Sequence, residues 1–191
     1  MNICVYCASS DKVADAHFDT AQQLGQILAQ NGHRLIYGGG AKGLMGCIAN
    51  ATMTHGGEVV GIIPRFMERV EWAHRGLTEL VLVDDMRERK RQMLERADAV
   101  VALPGGCGTL EELAEAITLK RLGLYCGAIV IVNTNGFYQH LQALLNQMVD
   151  EQFMRAEHRQ MWTFVDTPEQ VLPAIANTAK WDSGAIKFAA V

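Results

Sequence analysis

Short apolar runs alternate with longer amphipathic stretches from one end of the chain to the other. The runs at 2–8, 34–37, 58–63, 79–83, 99–103 and 128–132 are rich in Val, Ile and Leu and nearly continuous, and a weaker one lies at 162–165. Such runs, four to seven residues long and without polar alternation, read as strands buried on both faces. Between them the spacing predicts helices at 14–31, 44–55, 86–96, 110–122, 137–151 and 168–180. In the first of these, Ala14, Phe18, Ala21, Leu24 and Leu28 recur at helical intervals, and Asn31-Gly32 supplies a stop. Strand–helix alternation specifies an α/β fold, a doubly wound parallel sheet with helices on both faces. No internal repeat or linker interrupts it, so a single domain is expected over 1–180, with 181–191 as a C-terminal tail.

Composition narrows the function. With 191 residues, 49% of them hydrophobic and 20% charged, the chain can bury a sizeable core. Its net charge of −4 argues against a nucleic-acid binder or a membrane-surface binder, since both want a strongly basic face. No run of about 18 apolar residues predicts a membrane helix, and the first ten residues lack the basic and apolar regions of a signal peptide. A cytoplasmic protein is expected. Five cysteines, an odd number, then read as reduced thiols. Cys4 and Cys7 form a CxxC, but on a strand residues three apart point to opposite faces. No second CxxC or His pair completes a zinc set, so no metal is expected.

Ligands in doubly wound sheets bind at the carboxyl ends of strands, so the loops there carry the candidate chemistry. The second strand runs into Gly38-Gly39-Gly40-Ala41-Lys42-Gly43-Leu44-Met45-Gly46. A phosphate-binding turn and a glycine turn with no ligand both fit this segment. It is neither a dinucleotide fingerprint, which follows the first strand, nor a P-loop, which needs Gly-Lys-Ser/Thr. The fifth strand runs into Leu103-Pro104-Gly105-Gly106-Cys107-Gly108-Thr109-Leu110-Glu111-Glu112. Thr109 and Glu112 make a capping box, but a cap does not need three glycines in the four positions before it, whereas an oxyanion cradle does. Upstream, Met86, Arg89, Lys90 and Met93 share one helical face. Cations on a buried-looking side should meet an anion or a carboxylate; an exposed helix laced with Glu88 and Arg91 is the alternative. The connection 65–76 is long for a strand-to-helix loop and contains Glu71 and His74.

Together these motifs resemble the Lonely Guy family, the cytokinin riboside 5′-monophosphate phosphoribohydrolases, many of which were labelled possible lysine decarboxylases. The resemblance runs over residues 2–170. It rests on Cys4-Val5-Tyr6-Cys7-Ala8-Ser9-Ser10, the glycine segment, Glu71, His74-Arg75-Gly76, Arg89-Lys90 and, most specifically, the string 104–112. Ala8 and Leu119 stand where the family often has glycine and tryptophan. The resemblance implies a Rossmann-like subunit, usually a homodimer, that cleaves the N-glycosidic bond of a nucleoside monophosphate, AMP or an N6-substituted AMP, to free base and ribose 5-phosphate. By motif position Arg89 and Glu112 become the catalytic pair. Glu71, Arg89, Lys90, Gly105, Gly106, Cys107, Gly108, Thr109, Leu110, Glu111 and Thr118 become substrate contacts. No cofactor is implied.

The chemistry is consistent with those residues. Glycosidic cleavage passes through an oxocarbenium-like ribose, which a nearby carboxylate stabilises, by analogy with glycosidases. A glutamate in the first turn of a helix is expected to stay ionised because the dipole favours the anion. Decarboxylation on a lysine Schiff base finds no lysine in a suitable context. A non-catalytic nucleotide or molybdenum-cofactor carrier of the same fold is the alternative function.

Overall fold

A computed structural model describes residues 1–68 and 72–188. Seven strands, β1 (Asn2–Tyr6), β2 (Arg34–Tyr37), β3 (Val59–Pro64), β4 (Glu79–Val83), β5 (Ala99–Ala102), β6 (Ala128–Val132) and β7 (Thr163–Val165), form one sheet in the order β4-β3-β2-β1-β5-β6-β7. Every strand pair is parallel. The expected α/β class and doubly wound sheet are therefore present. Strand order reverses between β1 and β5, which places the crevice for a ligand at the carboxyl ends of those two strands.

The helices are α1 (Asp15–Gln30), α2 (Gly43–Thr54), α3 (Met86–Glu95), α4 (Cys107–Arg121), α5 (Gln139–Asp150) and α6 (Val171–Asn177). Leu24 and Leu28 of α1, Ile48 of α2 and Val171 of α6 pack with Ile3, Val5 and Cys7 on one face of the sheet. Met93 of α3, Leu113 and Ile117 of α4 and Val149 of α5 pack with Cys4 and Tyr6 on the other. Cys4 and Cys7 thus lie on opposite faces, as strand geometry requires, and none of the five cysteines is in a disulfide. Helices α1 and α2 approach so closely that a Cβ on Gly25 would stand 2.7 Å from the Ile48 carbonyl oxygen.

The departure from the sequence pattern that bears on the crevice is at α4. The pattern starts this helix at 110, behind a Thr109 cap, but it begins at Cys107 with Gly106 as its N-cap. Thr109 is the third helical residue and nearly fully buried, so the capping box does not form. Three extra residues of first turn are thereby brought to the crevice. The last helix is also shorter than its pattern, since Pro168–Gln170 is a separate 3-10 turn and the helix stops at Asn177.

Beyond α6 the chain crosses to the opposite face of the sheet. Trp181 packs against the α4 side of the core, its Nε1 donates to the Lys120 carbonyl at 2.6 Å, and Ala185 is buried. Lys120 itself is fully buried, donates from Nζ to the Gly127 carbonyl at 2.7 Å, and has its ammonium 5.9 Å from the Trp181 ring centre. Burial pushes its pKa down to about 8.

That burial gives a pH-dependent contribution to stability with a defined sign. Unfolded lysine titrates near 10.4, so between about pH 8 and pH 10.4 the unfolded chain binds more protons at this site than the folded one. The Lys120 contribution therefore rises with pH through that window and is least favourable below it. Melting curves of wild type and Lys120→Met between pH 7 and pH 10.4 should show the difference in Tm moving steadily in favour of wild type. A difference independent of pH would mean that Lys120 is not desolvated in the folded protein.

Candidate active site

The carboxyl ends of β1, β2 and β5 surround a cleft of about 320 Å³. Its floor is Val5 to Ser10, directly after the central strand. One wall is Gly38, Met45, Met67, Met86, Arg89 and Met93; the other is Gly106, Gly108, Thr109, Glu111 and Glu112 of α4. Arg89 and Glu112, which lie 23 residues apart in sequence, therefore line one cavity.

The α4 wall is built for an anion. Gly106, with φ −85° and ψ −159°, offers no side chain to cap the helix. The first main-chain bond in the helix runs from the Leu110 N–H to the Gly106 carbonyl at 3.0 Å. The N–H groups of Cys107, Gly108 and Thr109 have no acceptor among the described residues. Free donors at the positive end of a 15-residue helix form an oxyanion site. A Cβ on Gly106 or Gly108 would meet nothing within 4 Å, so the protein's own packing does not require glycine there. The missing side chains instead leave the cradle open to something arriving from outside. Gly105 is different: a Cβ there would stand 2.1 Å from Thr109 Oγ1.

Arg89 is 3% exposed. Its Nε donates to the Ile62 carbonyl at 3.2 Å and its Nη2 to the Gly38 carbonyl at 2.7 Å, while Nη1 lies 3.7 Å from the sulfurs of Met67 and Met86. Strand-end carbonyls thus hold a guanidinium that would otherwise be costly to bury. Glu112 is the sixth residue of α4, one turn beyond the position expected from the sequence, where the end dipole is weaker. Behind it, Tyr6 and Cys4 are buried and stay neutral. Burial, then the Glu112 charge, pushes the Cys4 thiol well up; burial, the Cys4 sulfur and Glu112 do the same for the Tyr6 phenol.

Lys90 turns away from this cleft. Its Nζ pairs with Glu111 and, at 2.9 Å, with Glu115, so it joins α3 to α4 and meets carboxylates as the sequence led us to expect. The hydrogen bond to Glu111, and then those to Glu115, hold its pKa above the usual lysine range. It lines instead a groove of about 1020 Å³ between α3 and α4, which among the described residues shares only Tyr6 and Glu112 with the cleft. Leu119 lines the same groove. Thr118 is exposed on the outer face of α4, its hydroxyl donating to the Ala114 carbonyl at 2.8 Å, together with Cys107 and Leu110. Glu71 lies outside the described residues. His74 is bound to Asn50 on α2 at 2.9 Å and lines no part of the cleft. Ser9, Ser10, Met45 and Met67 also line it, although the sequence does not mark them as site residues; their positions after β1, β2 and β3 are the available signal. Among the described residues no group of three or more His, Cys, Asp or Glu side chains is placed to hold a metal ion, and no helix is long and apolar enough to cross a membrane.

A family model described as possible lysine decarboxylase matches residues 45–175. The protein named probable cytokinin riboside 5′-monophosphate phosphoribohydrolase LOGL1, from Oryza sativa subsp. japonica, is 40% identical over 170 residues, covering 89% of this chain and 76% of that protein. The cytokinin riboside 5′-monophosphate phosphoribohydrolase LOG5 of Arabidopsis thaliana is 39% identical over 166 residues, covering 87% and 72%. Among solved structures, the molybdenum cofactor carrier protein of Chlamydomonas reinhardtii superposes with a TM-score of 0.72 at 17% identity, over 93% of this chain and 96% of that one. The molybdenum cofactor binding protein of Rippkaea orientalis does so with a TM-score of 0.70 at 21% identity, over 92% and 94%. At such identities the likeness shows a shared fold and nothing further.

The uncapped α4 terminus predicts anion binding that can be measured without any substrate. Inorganic phosphate at tens of millimolar should raise Tm, by the ligand-linkage effect. Gly106→Ala, whose Cβ meets no neighbour within 4 Å, should change the phosphate-free Tm only slightly, through the poorer N-cap, and diminish the increase. An equal increase in the variant would locate the anion elsewhere.

Proposed function

The chain belongs to the Lonely Guy family of phosphoribohydrolases, and on that membership we propose that it hydrolyses AMP or an N6-substituted AMP to the free base and ribose 5-phosphate. The single observation that carries the reading to this cleft is the shared cavity: Gly106, Gly108 and Thr109 of the donor cradle, Glu112 and Arg89 all line it. The 5′-phosphate takes the free N–H groups of Cys107, Gly108 and Thr109, with Gly105, Gly106, Leu110 and Glu111 shaping the cradle. The ribose then lies over the next turn of α4, where Glu112 faces C1′.

In the proposed reaction the C1′–N bond breaks and its electron pair leaves with the base. The ribose carries oxocarbenium charge, which the Glu112 carboxylate stabilises while it orients water for attack at C1′. Water supplies the new C1′–O bond, and its proton ends on the departing base. Arg89, fixed by two carbonyls, orients Glu112 and favours departure of the base. The four methionines give the base an apolar and adaptable wall. Glu71 completes the proposed substrate contacts, and Lys90, turned into the neighbouring groove, serves the proposed site by holding Glu111 and α4 in place. No lysine lines the cleft among the described residues, so the geometry offers no support for a lysine Schiff base there. The carrier alternative has only the fold likeness behind it.

Thr118 enters the proposal through assembly. On the outer face of α4 it can meet substrate only from another copy of the chain, and the neighbouring Leu110 is 46% exposed. We therefore include a homodimer and a cytoplasmic enzyme in the proposal.

Incubation with AMP should yield adenine and ribose 5-phosphate by chromatography, and adenosine should be a much poorer substrate because it lacks the anchoring phosphate. Equal turnover of the two would remove the phosphate cradle from the account, and no adenine at all would remove the activity. Glu112→Gln should lose at least about 100-fold in turnover with its folding unchanged. Arg89→Ala should lose activity sharply, whereas Arg87→Ala and Arg91→Ala, on the exposed side of α3, should not. Light scattering should give about twice the mass of one 21.0 kDa chain; a fully active species of single-chain mass would refute the dimer.

A further inference from the structure

The glycines after β2 are not equivalent. Gly39 has φ +78° and Gly43 has φ +59°, backbone conformations that side chains disfavour. Gly46 is required by main-chain approach, since a Cβ there would stand 2.1 Å from the Ala41 carbonyl oxygen. Gly38 has neither reason. Its φ is not positive, and the three nearest atoms a Cβ would meet are side-chain atoms: Arg89 Nη2 at 2.2 Å, Arg89 Cζ at 3.1 Å and Met45 Sδ at 3.2 Å. The same guanidinium donates to the Gly38 carbonyl at 2.7 Å. One residue therefore supplies both an acceptor for Arg89 and the empty volume that lets it come close enough to donate.

We propose that Gly38 is a positioning residue, whose missing side chain fixes the guanidinium of Arg89 in the cleft. As a step in the reaction this rests on the hydrolase reading above; as a statement about where Arg89 sits it does not. A methyl group at this position leaves the main chain unstrained and the fold intact. It occupies the place of Nη2, so the end of a flexible side chain has to give way. Nη2 then loses the Gly38 carbonyl, and the charge swings off the position from which it faces the substrate. Misplacement of this kind, by about 1 Å, costs on the order of 100-fold in rate.

The test is a double-substitution cycle of Gly38→Ala and Arg89→Lys, read both as Tm and as turnover. Lysine keeps the charge and has no Nη2, so it removes the clash. In the wild-type background Gly38→Ala should lower kcat on AMP about 100-fold with a smaller change in KM, and lower Tm by about 5 °C. In the Arg89→Lys background the same substitution should shift Tm by less than about 1 °C and cost little further activity. Equal Tm losses in both backgrounds would overturn the proposal, since the glycine would then serve the strand turn and not the arginine. Wild-type turnover in Gly38→Ala would overturn it as well. Should the unaltered protein fail to hydrolyse AMP, the hydrolase reading falls, while the Tm cycle still decides what Gly38 does.

Discussion

Three N–H groups at the start of α4, two of them on residues that line the crevice, have no protein acceptor among the described residues, and the rest of the cleft is arranged around that deficit. The strand order puts β1 and β5 side by side at the reversal of the sheet, so the loop leaving β5 opens directly onto the crevice. Starting the helix at Cys107, with a glycine as N-cap, leaves the donors free. A threonine cap at 109 would instead have started the helix at 110, left residues 107–109 in the loop and spent its hydroxyl on the N–H of Glu111 or Glu112. An anion bound there sits one turn from Glu112, and the distance between an anchored phosphate and the carboxylate is then set by helix geometry and not by side-chain flexibility.

The opposite wall solves a different problem. A nearly fully buried guanidinium is tolerable only if its donors are met, and here carbonyls at the ends of β2 and β3 meet them. Those two carbonyls fix the guanidinium of Arg89 at the wall of the cleft. The buried thiol and phenol behind Glu112 are kept neutral, which prevents a second negative charge on that side. Lys90, one residue along the same helix, spends its charge on Glu111 and Glu115 and so braces α3 against α4. Neighbouring cations on one helix thus divide into one that faces the cleft and one that fixes the distance between the walls.

Much of this was legible in the amino-acid sequence because the strands are buried on both faces and read as unbroken apolar runs. The opposite facing of Cys4 and Cys7 follows from strand period alone. The start of α4 was not legible, because Thr109-Leu110-Glu111-Glu112 satisfies the local rule for a cap while tertiary packing buries the threonine instead. Lys90 and Arg89 looked equivalent on a helical wheel; only the position of α4 separates them. Gly38 was indistinguishable from its glycine neighbours, since the side chain it accommodates arrives from 51 residues further along. Trp181 offered no local pattern, because its partner is a main-chain carbonyl on α4.

The most direct test of the account is a crystal structure of Glu112→Gln with AMP bound, since the slowed variant should retain its substrate. The account predicts the phosphate oxygens within hydrogen-bonding distance of the N–H groups of Cys107, Gly108 and Thr109, and C1′ facing residue 112. A phosphate held elsewhere, or a ribose turned away from residue 112, would contradict it.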